Sequence, residues 1–355
     1  MADDRREGDA PEELPTGDST VPPIGGGMGA KGMDQPRIAE DMLVEGEPPP
    51  VQDSEVALKS LSQWQLAARR FRRHRMAMVG VGIFVFMILV IIVIPIFQPY
   101  VFQNIPGSMR PGGMPPGEVQ RLVGGEFRTE LSIFGTTGEG RDVFNLVVNG
   151  GRISFSVGLF SMLIAGFVGV IVGSIAGFFG GWVDNVLMRI VDVFFAIPFL
   201  FVILVAARFF GRGDVLSLVL IIGLLSWPLI ARLVRASFLS LREADFVDAA
   251  RAVGVGNLRI AFRHILPNAL SPVIVAMTLL MANAIVLEAF VSFLGFGIRD
   301  TEISWGNALA NAQEGIRFGN WWWAFFPGMA IALTVLSINF MGDGLRDALD
   351  PRSRE

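Results

Sequence analysis

Six apolar runs dominate this chain, near residues 76–98, 153–179, 186–207, 215–236, 272–294 and 323–342. Each reaches about 20 residues, which at about 1.5 Å per helical residue crosses a hydrocarbon core of roughly 30 Å. The expected fold class is an all-α integral membrane protein with six transmembrane helices. A hydrophobic content of 52% points the same way. The chain has no cysteine and two histidines, His74 and His264, so disulfides, thiolate metal sites and a His cluster built by this chain are excluded.

The net charge of -4 conceals an uneven split. Residues 1–60 carry 14 acids and 5 bases, whereas the remainder carries 19 acids and 24 bases. The first 60 residues also hold eight Pro and eight Gly, with few aromatics. That composition buries too little apolar surface to offset chain entropy, so 1–60 reads as a disordered acidic tail. No small-residue cleavage pattern follows it, so it does not read as a signal peptide. Residues 61–75 change character. Leu61, Trp64, Ala68 and Phe71 fall at helical spacing among Arg69, Arg70, Arg72 and Arg73. A basic amphipathic helix on the membrane surface fits, as does a solvated basic stub that orients the first span. No basic patch is interleaved with aromatics, and nucleic-acid binding has no support.

Arginine placement gives an orientation. Sixteen bases lie near membrane ends on the side holding both termini and the 237–271 loop, against nine on the other side. The positive-inside rule then places both termini, the 343–355 tail and that loop in the cytoplasm. The long 99–152 loop becomes extracytoplasmic, with a short strand or hairpin expected within 119–130. Trp321, Trp322 and Trp323 would form an aromatic belt at the outer interface.

The 237–271 loop, set within a 153–342 core, carries the most specific pattern. Asp245 is placed to cap a short helix, with Asp248 three residues on. Phe246, Ala249, Ala250 and Val253 then share one apolar stripe. Gly254 ends the helix, Asn257 is placed to cap a second, and Pro267 to break it before the fifth span. Either the short helix docks another protein, or it merely connects two spans.

Asp248-Ala249-Ala250, Gly254 and His264-Ile265-Leu266-Pro267 resemble the signature loop of ABC importer permeases. Asp248 stands where Glu is usual and His264 where Ile is usual. From about residue 61 onward the likeness widens. Gly140-Arg141-Asp142-Val143-Phe144, Gly180-Gly181-Trp182-Val183-Asp184, Ser292-Phe293-Leu294-Gly295-Phe296-Gly297, Ser304-Trp305-Gly306-Asn307 and Gly342-Asp343-Gly344-Leu345-Arg346 look like the dipeptide/oligopeptide/nickel permease family, second permease subunit type. The resemblance implies a type I ABC importer permease fold in a bacterial plasma (inner) membrane, surrounded by lipid. It also implies a homologous permease as partner, two ATP-binding subunits and an extracytoplasmic solute-binding protein. The coupling residues it implies are Asp245, Phe246, Asp248, Ala249, Ala250, Arg251, Val253, Gly254, Leu266 and Pro267. ATP and Mg would be used by the partner ATPases, this chain binding no cofactor and catalysing nothing. In agreement, the sequence contains no Gly-x-x-x-x-Gly-Lys-Ser/Thr loop to cradle phosphates.

Gly169, Gly173 and Gly177 recur every four residues and let a helix backbone approach, within the bundle or at a subunit seam. Asp192, Asn283, Glu288 and Asn339 interrupt apolar runs. Intramembrane carboxylates usually face a cavity or a partner. Asn283 and Glu288 are candidates to line the pathway, with structural pairing as the alternative for Glu288. Asp192 is expected to pair with Arg189 at i, i+3. Import of nickel or another small solute by the same machinery is one alternative, and an ATP-independent carrier or channel another.

Overall fold

The computed structural model describes residues 63–97, 113–123, 126–211, 213–298 and 302–350, without the side chains of 118–131. The acidic tail 1–60, and the Arg110, Arg212, Arg299, Arg352 and Arg354 used in the orientation count, lie outside them.

Helix α1 (Gln63–Arg73) gives way to α2 (Arg75–Phe97) at a single residue, His74. Its Nδ1 accepts from the Ala77 amide at 3.1 Å, as an N-cap side chain does. Its Nε2 lies 3.3 Å from Asp347 Oδ2 near the chain's end, so one side chain ties the entry of the first span to the last helix. Strands β1 (Gly117–Val123) and β2 (Glu126–Ser132) pair antiparallel, in the stretch where the sequence anticipates a hairpin.

Helix α3 (Val143–Phe179) starts ten residues before the second apolar run, because Asp142 caps it and accepts from the Phe144 amide at 3.3 Å. Facing it is α6 (Val215–Arg242), the most extensive helix pair among the described residues. Gly169, Gly173 and Gly177 line the seam against Ile230, Ala231, Val234 and Phe238. A Cβ at Gly169 would lie 2.6 Å from that of Ile230, and one at Gly177 2.5 Å from that of Phe238. Small residues at this seam are therefore a packing requirement.

The third apolar run is not one helix, contrary to the reading of 186–207 as continuous. It divides into α4 (Gly181–Ala196) and α5 (Phe199–Phe210), bent by 86°. Ile197 precedes Pro198 and takes extended backbone (φ -104, ψ 135), since the proline ring disfavours helical geometry for its predecessor. The expected Asp192–Arg189 pair gives way to a longer reach. Asp192 meets Arg232 of α6 at 2.9 Å, and that guanidinium also sits 4.4 Å above the Phe195 ring. Nearer the start of α4, Asp184 receives both Nε and Nη2 of Arg235, the latter at 2.6 Å. Two cross-helix pairs thus brace α4 on α6.

Past α6, the chain forms α7 (Asp245–Ala252), α8 (Asn257–Ile260), a π-helical turn (Ala261–Ile265) and α9 (Leu266–Phe293). These last three make one continuous helix of 37 residues. Pro267 does not break it, as the sequence suggested. It sits in the first turn of α9, and the missing N–H is accommodated by loosening the preceding turn to π geometry. Helices α10 (Trp305–Arg317) and α11 (Trp322–Leu349) complete the body. Among the described residues, five helices are long and apolar enough to cross a membrane, and the bent α4–α5 pair makes a sixth segment.

Candidate partner-docking surface

The loop between α6 and α9 is built around a well-formed helix end. The Gly254 amide donates to Arg251 O at 2.9 Å and the Val255 amide to Ala250 O at 3.0 Å. This is a Schellman pair, and it needs a residue in left-handed backbone after the cap. Gly254 supplies it at φ +80. Val255 and Ala250 pack together in the cluster around Phe238, supplying the apolar contact that accompanies such ends.

The N-terminal reading is corrected. Ala244 is the cap residue, with no side-chain hydrogen bond, and Asp245 lies inside the first turn. There its charge favours the positive end of the helix dipole. Asn257 likewise opens α8 rather than capping it; Gly256 is the cap. Asp248 pairs with Arg251 at 3.0 Å, an exposed pair worth roughly 0–1 kcal/mol.

The apolar stripe divides between two faces. Val247 is fully buried against Phe238, Ile260 and Ile265, and Ala250 and Leu266 lean into the same cluster. Ala250 therefore anchors α7 to the body, contrary to its assignment to an outward face. Phe246, Ala249 and Val253 remain outside, Val253 at 82% exposure. Leu258 and Phe262 are exposed at 63% and 64% on the continuation of the same loop, and sequence spacing did not single them out. Their signal was present: apolar residues four apart beside the exposed Arg259 and Arg263. Pro267 is exposed at the base of α9. Exposed apolar side chains with a basic rim mark an interaction surface.

The polar residues in the fifth span separate. Asn283 is exposed on α9. Glu288 is wholly buried, so it does not line a path through this chain. Its Oε2 accepts from Ser154 of α3 at 2.7 Å and its Oε1 from Ser292 at 2.9 Å. Ser154 Oγ in turn accepts from the Trp305 amide at 3.2 Å. The carboxyl is thus a junction for α3, α9 and α10.

Opposite ends of α3 lie at the two ends of the helical body. Phe178, near its C-terminus, accepts from Arg242 beside the docking loop, whereas its N-terminus borders a cavity of about 680 Å³. The floor includes Val143, Leu146, Ile303 and Trp323, and the walls are the 137–141 turn and one face of α10. The indole N–H groups of Trp322 and Trp323 both donate to Thr136 O, at 3.2 and 2.8 Å. Two of the three tryptophans expected in an interfacial belt are therefore buried as anchors, and Trp321 alone of the three is exposed.

Helices of this length and apolarity define an integral membrane protein. Residues 169–355 match the family described as binding-protein-dependent transport system inner membrane component, and residues 62–116 match the N-terminal TM domain of oligopeptide transport permease C. The chain belongs to this family of transport permeases. It is 46% identical over 221 residues to a putative peptide permease protein of Brucella suis biovar 1, covering 62% of this chain and 73% of that one. It is 40% identical over 221 residues to a dipeptide transport system permease protein of Alkalihalophilus pseudofirmus, covering 62% and 72%. An oligopeptide transport system permease protein of Haemophilus influenzae is 35% identical over 300 residues, covering 84% and 92%. Among solved structures, an inward-facing MetNI methionine ABC transporter aligns with TM-score 0.48 and 21% identity, over 58% of this chain and 96% of that one.

Proposed function

We propose that this chain is the second permease subunit of a binding-protein-dependent ABC importer for dipeptides or oligopeptides. A homologous permease completes the pathway, two ATPases drive it, one of them receiving α7 in a groove, and an external binding protein delivers the solute. The observation that carries this reading is α7 itself. Phe246, Ala249 and Val253 stand out from a helix pinned by Val247 and closed at Gly254, a protrusion fit for a groove in another protein. Asp245, Asp248 and Arg251 give that protrusion polar flanks, and Pro267 marks its far boundary. The named relatives support peptides as cargo. The excess of arginines on the α7 side supports placing that loop and both termini in the cytoplasm.

The test is reconstitution of the chain with its partner permease, ATPases and binding protein in vesicles. Ala249→Trp is expected to abolish ATP-driven dipeptide uptake while the assembled permease pair stays in the membrane. Full uptake by that variant sinks the docking role. Uptake of nickel chelates without uptake of any peptide sinks the peptide assignment.

A further inference from the structure

The cavity at the end of the molecule remote from α7 has walls fixed by hydrogen bonds. The 137–141 turn is closed by the Thr137 amide on Arg141 O at 2.8 Å and by the Arg141 amide on Thr137 Oγ1 at 3.1 Å. Two tryptophans clamp its base at Thr136, as described above. Across the cavity, α10 is held by Trp305 Nε1 on Val147 O at 2.7 Å and by Asn307 Nδ2 on Ile298 O at 2.9 Å. Neither wall needs to reorganise to receive a ligand, and about 680 Å³ lies within the range of small-molecule sites.

The charges on these walls are balanced. The turn contributes Glu139 and Arg141, paired at 2.9 Å, and α10 contributes Glu314 and Arg317 one helical turn apart. A solute of one sign meets as much repulsion as attraction here. A solute carrying one ammonium and one carboxylate finds a partner for each. The carboxamides of Asn311 and Gln313, also lining the cavity, can both donate to and accept from a peptide bond.

We infer that this cavity is a subsite for the free termini of a small zwitterionic peptide, Glu314 receiving the ammonium and Arg317 the carboxylate. It rests on the peptide reading above. It adds that the permease itself holds the solute, at a place distinct from the α7 loop.

The probe is L-alanyl-L-alanine, titrated onto the full permease–ATPase complex in lipid nanodiscs without binding protein, with binding read by saturation-transfer NMR. N-acetyl and C-amide derivatives are expected to bind about tenfold more weakly. Glu314→Gln is expected to weaken dialanine binding about tenfold and leave binding of the N-acetyl derivative unchanged. Arg317→Gln is expected to do the same with respect to the C-amide. Both side chains are exposed, so neither change threatens folding. Absence of saturable binding, equal binding of the blocked peptides, or wild-type binding by both variants overturns the inference. Dialanine uptake by the full system is measured alongside. Uptake without cavity binding overturns this subsite alone, whereas absence of uptake of any peptide overturns the reading on which it rests.

Discussion

Replacing Gly254 separates strain within the loop from obstruction of a partner. The residue sits at φ +80, and a Cβ built there meets no heavy atom within 4 Å. Within this chain the cost of a side chain is therefore conformational. Left-handed backbone costs an L-residue about 1–2 kcal/mol, more when the side chain is β-branched and less for Asn. For Gly254→Ala that lowers the population of the closed Schellman end about 5–30-fold. Helix α7 has eight residues, too few to persist without its ends and its Val247 contact. Hydrogen–deuterium exchange on the complex in nanodiscs should show protection of the 249–255 amides falling by that factor for Ala. Val should lose more and Asn less, and ATP-driven uptake should follow the same order. Asn has more side-chain heavy atoms than Val, so a pure obstruction of the partner ranks them the other way. Uptake lost more in Asn than in Val, or unchanged protection in Val, refutes the strain argument.

Two further outcomes follow from the anchors at the cavity end. Trp322→Phe and Trp323→Phe each leave Thr136 O with one indole donor, so the double variant, which orphans a buried carbonyl, should exceed the sum of the singles by about 1 kcal/mol; strict additivity in thermal unfolding refutes the shared-acceptor account. Burial pushes the Asp142 carboxyl above its ordinary value, with hydrogen bonds from Ser132 and the Phe144 and Asn145 amides acting against it. The stability contributed by its protonated form is full below about pH 4 and is lost as pH rises through the elevated folded value. Asp142→Asn keeps a good cap, so its melting temperature relative to the native chain should rise between pH 4 and 7; a constant difference refutes this.

Much of the architecture could be read in the chain because the forces behind it are local or periodic. Span lengths, the hairpin and the Gly254 stop depend on hydropathy, turn residues and backbone sterics. What escaped depends on neighbours far away in sequence. Asp192 has Arg189 close by, but α6 brings Arg232 to it. Ala250 and Phe246 look alike in spacing, and only the position of the cluster around Phe238 turns one inward. For Glu288 the sequence leaves pathway lining and structural pairing open, because an intramembrane carboxyl is costly and either arrangement meets that cost. Two serine hydroxyls, one from 134 positions away, offset that cost. The break in the third span was visible as Ile197-Pro198 but was overridden by unbroken hydropathy, a reminder that apolarity reports burial and not straightness.

The uninterrupted helix from Asn257 to Phe293 gives the molecule a spindle about 55 Å long. One end carries the loop on which α7 stands, and the other carries Glu288, to which the wall of the charged cavity is fastened. Helical turns with regular i→i+4 bonds resist bending, so a displacement imposed at the base is absorbed where that ladder is relaxed, at the π turn of Ala261–Ile265 and at Pro272, which lacks an N–H. Whatever those turns do not take up arrives at the serine-held carboxyl. The stiffness of these two short stretches thus sets how much of a push at one face is felt at the other.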